Sequence, residues 1–322
     1  MTGSTVAVTR PLPDPGVAPL EAAGLRVVAN REDRVLAPDE LIALVAGADA
    51  LVCTISDRID ATVLDAAPGL RIVANVAVGF DNVDVALARS RGVEVTTTPD
   101  VLTEATADLT WTLLLAAARR LGEGERLVRS GRWEGWAPTQ LLGQPVWGRR
   151  LGIVGLGAIG RAVARRACAF GMPVAYCNRR RLAPELEAEL GVTHLALDDL
   201  FATSDVVSLH APLTAASHHL VDARRLSLMK PTAVLVNTAR GPLVDEDALA
   251  RALDDRRIFA AGLDVFEHEP SVHPALLGRD DVVLAPHLGS ATVAARSAMV
   301  ELCIDNVVEV LAGRPARTPA PG

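Results

Sequence analysis

Cysteine and surplus positive charge are scarce in this 322-residue chain, and no hydrophobic run is long. Each shortage removes a class of protein. The four cysteines, Cys53, Cys168, Cys177 and Cys303, form no short-spaced pair that would hold zinc or act as a redox couple. They are expected as buried, reduced thiols, and no metal site is expected. With 32 basic against 39 acidic side chains the net charge is −7, which leaves no footprint for DNA or RNA. No apolar run reaches the length of a membrane span, and the opening MTGSTVAVTRPLPDPG has no cationic start leading into an apolar core. A cytoplasmic location is the expectation, with neither nucleic acid nor membrane as a partner. Aromatic residues, at 3%, are also few, and nothing about function follows from that.

What the chain does have is half its residues hydrophobic, enough for two ordinary cores. Short β-branched runs (TVAVTR, LRVVAN, ALVCTI, LRIVANV, VEVTTTP) alternate with helical patterns, the signature of parallel βαβ units. A long apolar helix is predicted from about Leu102 to Leu121, opened by Thr103 and Glu104 and closed by Gly122. The segment GRWEGWAPTQLLGQPVWGRR after it has weak periodicity and is expected as an extended arm. A second alternating series follows, RRLGIVGLG, PVAYCN, VVSLHAPL, AVLVNTARG, IFAAGLDV and VVLAPHLGS, and a last helix spans roughly 294–312. The fold class is therefore α/β, with two Rossmann-like, doubly wound parallel sheets.

Strand LGIVG runs into Gly155-Leu156-Gly157-Ala158-Ile159-Gly160 and then a helix with Ile159, Val163, Ala167 and Phe170 at helical spacing. In this context G-x-G-x-x-G points to a dinucleotide. Gly155 permits the turn, Gly157 admits the pyrophosphate, Gly160 lets helix approach strand, and helix N-terminal amides, from Ala158 and Ile159 on, face the phosphate charge. About twenty residues on, where an acidic residue would grip the ribose 2′-hydroxyl, stand Asn178, Arg179, Arg180 and Arg181. No carboxylate is there to repel a 2′-phosphate, so NADP(H) is favoured over NAD(H), which stays possible.

Three strand ends of the second series carry groups suited to reducing a 2-oxo acid, which needs a cation, a proton donor and a partner that keeps the donor charged. Arg240 ends VLVNTAR ahead of Gly241, His287 ends VVLAPH, and Glu269 or Glu267 of DVFEHEP offers a carboxylate to the imidazole. Asp264 ends AAGLD, placed to bind nicotinamide carboxamide or ribose.

Six segments together resemble the D-isomer-specific 2-hydroxyacid dehydrogenase family, in its glyoxylate and hydroxypyruvate reductase branch. They are NVAVGFDNVD (75–84), TPDVLTEATADL (98–109), GLGAIG (155–160), NTARGPLVDEDAL (237–249), GLDVFEHEP (262–270) and APHLGSAT (285–292). The resemblance covers nearly the whole chain. It implies Arg240, Glu269 and His287 as the catalytic set, choosing Glu269 over Glu267, with Arg240 and His287 also touching substrate. The Val78 and Gly79 amides are implied as carboxylate donors in a cleft between two domains. Thr106, His210, Ala211, Pro212, Thr238, Ala239, Asp264, His287 and Gly289 are implied to face the cofactor.

The same resemblance implies a discontinuous substrate-binding, flavodoxin-like domain (1–100 and 288–322) and an NAD(P)-binding domain (101–287) that includes the interface helix and arm (101–148). It also implies a homodimer around that helix and arm, with Trp133, Trp136 and Trp147 as interface candidates. The expected reaction is reduction of a small 2-oxo acid to the D-2-hydroxy acid, with His287 as proton donor. Alternatives are a phosphite dehydrogenase, whose pattern includes a similar Arg, Glu and His, and a dinucleotide-sensing corepressor of the same fold. The chain ends soon after the last helix, without the regulatory extension of some phosphoglycerate dehydrogenases. A formate dehydrogenase would carry glutamine where Glu269 stands.

Overall fold

The structure, a computed structural model, describes residues 3–321; Met1, Thr2 and Gly322, the extreme ends of the expected 1–100 and 288–322 segments, lie outside the described residues. Two compact units form, one from Met1–Leu102 with Ala291–Gly322 and the other from Thr103–Ser290. In the first, strands β1 (Thr5–Val8), β2 (Arg26–Ala29), β3 (Ala50–Cys53), β4 (Ile72–Asn75) and β5 (Glu94–Thr96) alternate with helices α1 (Ala18–Ala22), α2 (Pro38–Val45), α3 (Ala61–Ala66) and α4 (Val85–Ser90). The sheet is wholly parallel, in the order β2-β1-β3-β4-β5. Strands β3 and β4 are buried along their whole length, as a sheet covered on both faces demands. Helix starts follow local chemistry: Asp60 accepts from Thr62 N at 3.0 Å and Asp84 from Leu87 N at 2.9 Å.

The second unit opens with α5 (Thr103–Ala118) and α6 (Leu121–Arg129). It continues through β6 (Leu151–Val154), α7 (Ala158–Ala167), β7 (Val174–Cys177), α8 (Pro184–Leu190), β8 (Val192–His194), α9 (Leu197–Thr203), β9 (Val206–Leu209) and α10 (Ala223–Leu228). Strands β10 (Val234–Asn237), β11 (Ala260–Leu263) and β12 (Val282–Leu284) complete the sheet, with α11 (Glu246–Asp254) and α12 (Pro274–Leu277) between them. The order β12-β11-β10-β9-β6-β7-β8 reverses direction between β6 and β9. Ligands of open parallel sheets bind outside the carboxyl ends at such a reversal. Successive strand residues point to opposite faces: Leu151, Ile153, Val234 and Val236 join the core under α5 and α7, and Val154, Val207 and Leu235 the opposite one.

Helix α13 (Val293–Leu311) then returns to the first unit, where Val300, Cys303, Ile304, Val307 and Leu311 pack with Val6, Val52, Ile72 and Ala74. The Arg71 guanidinium caps its far end, donating to the carbonyls of Val310 and Leu311 at 2.8 and 3.1 Å.

Three details differ from the sequence reading. The long helix is two helices, because Arg120 takes φ +53° and the carbonyl of Ala118 is captured by Gln144 N at 2.8 Å instead of by a further helical amide. Gly122 therefore lies inside α6 and does not close α5. Cys168 is exposed, since the single 3₁₀ turn after α7 turns it outward, and Cys177 is only half-buried. The chain leaves the second unit after Ser290, not 287, because the amides of Leu288 and Gly289 are bound within that unit. The arm from Gly131 to Arg149 has no helix or strand, as expected, and exposes Trp133, Trp136 and Trp147 by 52, 83 and 72%.

One buried side chain makes several of the bonds that hold the C-terminal segment. Asn306 donates to Leu302 O and Thr318 Oγ1 and accepts from the amides of Arg317 and Thr318, after which Ala320 N reaches Val95 O beside β5. Asn306→Ala leaves those amides unpaired and is expected to lower stability by about 1–3 kcal/mol. Urea unfolding checks it: an unchanged midpoint shows that this side chain does not fix the segment.

Candidate active site

The glycine loop between β6 and α7 is shaped by close backbone approach. Gly155 has φ +95°, and a Cβ there would stand 2.6 Å from the carbonyl of His210; one at Gly160 would stand 2.3 Å from Gly155 O. At Gly157, the N-cap of α7, a Cβ would meet nothing within 4 Å. Two glycines are thus demanded by the protein itself, while the third leaves open space before the α7 amides. That arrangement fits a dinucleotide pyrophosphate.

Asn178 lies at the end of β7, and its Oδ1 accepts from Leu156 N at 2.6 Å, so it braces the glycine loop directly. Arg179 and Arg180 are exposed. Arg181 is committed elsewhere: it pairs bidentately with Glu187 at 2.8 and 2.7 Å, and Tyr176 Oη donates to the same carboxylate at 2.5 Å. The bonds from Arg181 and Tyr176 hold the Glu187 carboxyl at about 2, against a smaller upward push from desolvation.

His210 follows β9, its amide on Val154 O at 2.7 Å and its ring 2.8 Å from Ser208 Oγ. Burial pulls this imidazole down to about 4, so it is neutral at physiological pH. Ala211 and Pro212 continue outward from it. Thr238, Ala239 and Arg240 leave the carboxyl end of β10. The Asn237 side chain binds both Ala239 N and Arg240 O, which aims the arginine. A Cβ on Gly241 would lie 1.9 Å from the backbone of Phe266, which explains why glycine must follow Arg240.

Beyond β11, Asp264 is fully buried, and its two oxygens accept from Leu288 N at 2.6 Å and Gly289 N at 2.8 Å. Burial is the largest influence on its carboxyl and raises it above the ordinary range. The His287 amide donates to Asp264 O at 2.8 Å, and Thr106 Oγ1 donates to Gly289 O at 3.1 Å. His287 itself takes φ +55°. Its Nδ1 lies 2.9 Å from Glu269 Oε2, and Glu269 Oε1 accepts from Phe266 N at 3.0 Å. Desolvation pushes the Glu269 carboxyl up, yet the His287 hydrogen bond and charge, the Phe266 amide and the nearby Arg240 charge together bring it below the usual value.

The structure thus brings Arg240, Glu269 and His287 together at the carboxyl edge of one sheet. Glu267 turns the other way, 2.5 Å from His219 Nε2. Val78 and Gly79 belong to the other unit, partly exposed after β4, where Asn75 Nδ2 donates to Gly79 O at 2.9 Å. Sequence reading missed Thr110, whose hydroxyl lies 2.8 Å from that of Thr238. Its signal was the spacing: Thr110 is one helical turn beyond Thr106, on the same face.

Residues 111–289 match the family model described as the NAD binding domain of the D-isomer specific 2-hydroxyacid dehydrogenases. The chain belongs to that family. As a family member it is a nicotinamide-dependent dehydrogenase. It is 50% identical over 307 residues to a glyoxylate reductase of Thermococcus onnurineus, covering 94% of this chain and 91% of the relative. A solved protein of Thermus thermophilus superposes with a TM-score of 0.92 at 46% identity, covering 98% of this chain and 100% of the other. An NADPH-dependent glyoxylate/hydroxypyruvate reductase of Sinorhizobium meliloti, solved with NADP and malonate, gives a TM-score of 0.86 at 37% identity, with 98% and 96% covered.

The neutral ring of His210 sets an expectation for the dehydrogenase in acid. Its pKa is lower folded than unfolded, so from about pH 6.5 down to about 4 the unfolded chain takes up a proton that the folded one refuses. Stability falls on acidification through that window, and His210→Asn should lose less stability between neutrality and pH 5 than the parent. Equal losses in urea titrations at the two pH values would refute the assignment.

Proposed function

We propose that this dehydrogenase reduces a small 2-oxo acid of the glyoxylate or hydroxypyruvate type to the D-2-hydroxy acid, and prefers NADPH to NADH. The observation that carries the reading is the convergence just described: His287 hydrogen-bonds Glu269, whose carboxyl also feels the Arg240 charge, at the carboxyl ends of strands in the sheet that carries the glycine loop. Relatives named glyoxylate reductase support the substrate class.

The bound nicotinamide supplies the hydride that reduces carbon 2 of the substrate. The planar guanidinium of Arg240 binds the substrate carboxylate and the oxo group together, polarising the carbonyl. Val78 and Gly79, in the other unit, keep their proposed role as amide donors to a carboxylate. Glu269 accepts at Nδ1 of His287 and so leaves Nε2 to donate its proton to the oxygen as negative charge develops there. The dinucleotide residues named from the sequence keep their proposed roles, with Arg179 and Arg180 available for a 2′-phosphate and Asn178 acting through the loop it braces. The exposed tryptophans of the arm are the proposed contact with a second copy in a homodimer. A cytoplasmic location goes with this reading.

The deciding assay offers glyoxylate, hydroxypyruvate, pyruvate and bulkier oxo acids with NADPH, and phosphite with NADP⁺. Highest kcat/KM on glyoxylate and hydroxypyruvate is expected, and His287→Ala should lower kcat by about 10²–10⁴ and flatten the pH profile. Turnover of phosphite alone, or a pH profile unaltered by the substitution, sinks the reading.

The cofactor preference has its own check. A charge-assisted hydrogen bond contributes about 1.5–3 kcal/mol, so Arg179→Ala should cut kcat/KM for NADPH by about tenfold or more while changing NADH little. Equal changes with both cofactors would remove Arg179 from the 2′-phosphate site.

A further inference from the structure

Four of the seven histidines, His218, His219, His268 and His273, gather with Glu246, Asp247 and Glu267 on one face of the Thr103–Ser290 unit. None has a part in the proposed chemistry. His273 Nε2 lies 3.0 Å from Asp247 Oδ1, and His268 and His273 are close enough to act electrostatically on Glu267 and Glu246 respectively.

Within this face, His218 and His219 are unusually placed for neighbours in sequence. His219 takes φ +49°, a left-handed conformation uncommon outside glycine. In an extended chain, adjacent side chains point to opposite sides. Here the two rings lie side by side, centroids 4.0 Å apart and planes 32° from parallel. Glu267 Oε1 stands 2.5 Å from Nε2 of His219. One ligand atom from each of the three residues falls within 4.8 Å of the others, a grouping found once among the described residues.

The frame is held independently of these side-chain contacts. His219 N donates to Pro242 O at 2.8 Å, and Glu267 N donates to the buried Glu246 carboxylate at 2.9 Å. His218 is exposed, so an ion can enter from solvent.

We propose that His218, His219 and Glu267 form a binding site for a borderline divalent cation of the Zn²⁺ type. Two imidazole nitrogens and a carboxylate oxygen suit such ions better than Ca²⁺ or Mg²⁺, which take oxygen ligands. Tetrahedral bonds of about 2.0–2.2 Å put ligand atoms roughly 3.3 Å apart. The Glu267 contact opens slightly and the widest pair closes by about 1.5 Å, which are side-chain rotations. Water fills the fourth position. The ion would sit on segment 266–269, the same stretch that presents Glu269 to His287.

Zinc chloride is titrated calorimetrically into the full-length, tag-free, metal-stripped protein and into His218→Ala, Glu267→Gln and His287→Ala, with magnesium chloride as the comparison ion. One saturable Zn²⁺ event is expected in the parent and in His287→Ala, with none for Mg²⁺. Removing an outer-shell partner already weakens metal binding by about 10–100-fold, so losing an inner ligand in His218→Ala should cost at least about tenfold. His218 is exposed, so its variant should keep the parent fold and dehydrogenase rate, which separates a lost ligand from a lost structure. The unfolding midpoint should rise with Zn²⁺ in the parent and not in His218→Ala. The proposal is overturned if the parent shows no event, if His218→Ala binds as tightly as the parent, or if only His287→Ala abolishes binding, which would put the ion on the catalytic pair.

Discussion

The carboxylate of Asp264, closed off from water, accepts the amides of Leu288 and Gly289, and its carbonyl accepts the amide of His287. Three consecutive amides of the histidine turn therefore converge on one residue. An unpaired buried carboxylate would be very unfavourable, so the turn and the carboxylate require each other. The left-handed backbone of His287 is tolerated because these bonds fix it. Thr106 closes the far side through Gly289 O, tying the first helix of the unit to the same turn. The imidazole is thereby aimed before any substrate arrives.

Arg240 is aimed by different means. The Asn237 side chain holds the amide of Ala239 and the carbonyl of Arg240, and Gly241 lets the chain from Phe266 to Glu267 pass at a distance no side chain would allow. That passing chain is the one that delivers Glu269. Strand ends β10, β11 and β12 thus hold one another in position through backbone and buried polar groups, while the reactive side chains remain only partly buried. Preorganisation of this kind is what electrostatic stabilisation of a developing oxyanion requires.

Much of this was legible in the sequence because it is carried by local pattern. Strand periodicity, the glycine spacing and the strand-end positions of Arg240 and His287 all lie within short windows. What was not legible depends on partners far along the chain. The break at Arg120 follows from Gln144 reaching Ala118, and the commitment of Arg181 follows from Glu187 and Tyr176. The bond that Asn178 Oδ1 accepts from Leu156 N, which ties this residue to the glycine loop, is an arrangement that only the folded loop reveals. Cys168 read as buried because a thiol usually is, and a 3₁₀ turn placed it outside.

Helix α13 supplies Val300, Cys303, Ile304 and Val307 to a core whose other members lie in the first strands of the chain. On the ribosome, about 190 residues of the second unit separate Leu102 from Ala291. At roughly 5–20 residues per second, the N-terminal sheet waits on the order of ten to forty seconds with the α13 side of that core uncovered. Synthesis therefore runs against the usual order in which an amino-terminal domain folds first. The unit that holds the first strands is completed only after the intervening unit has been made.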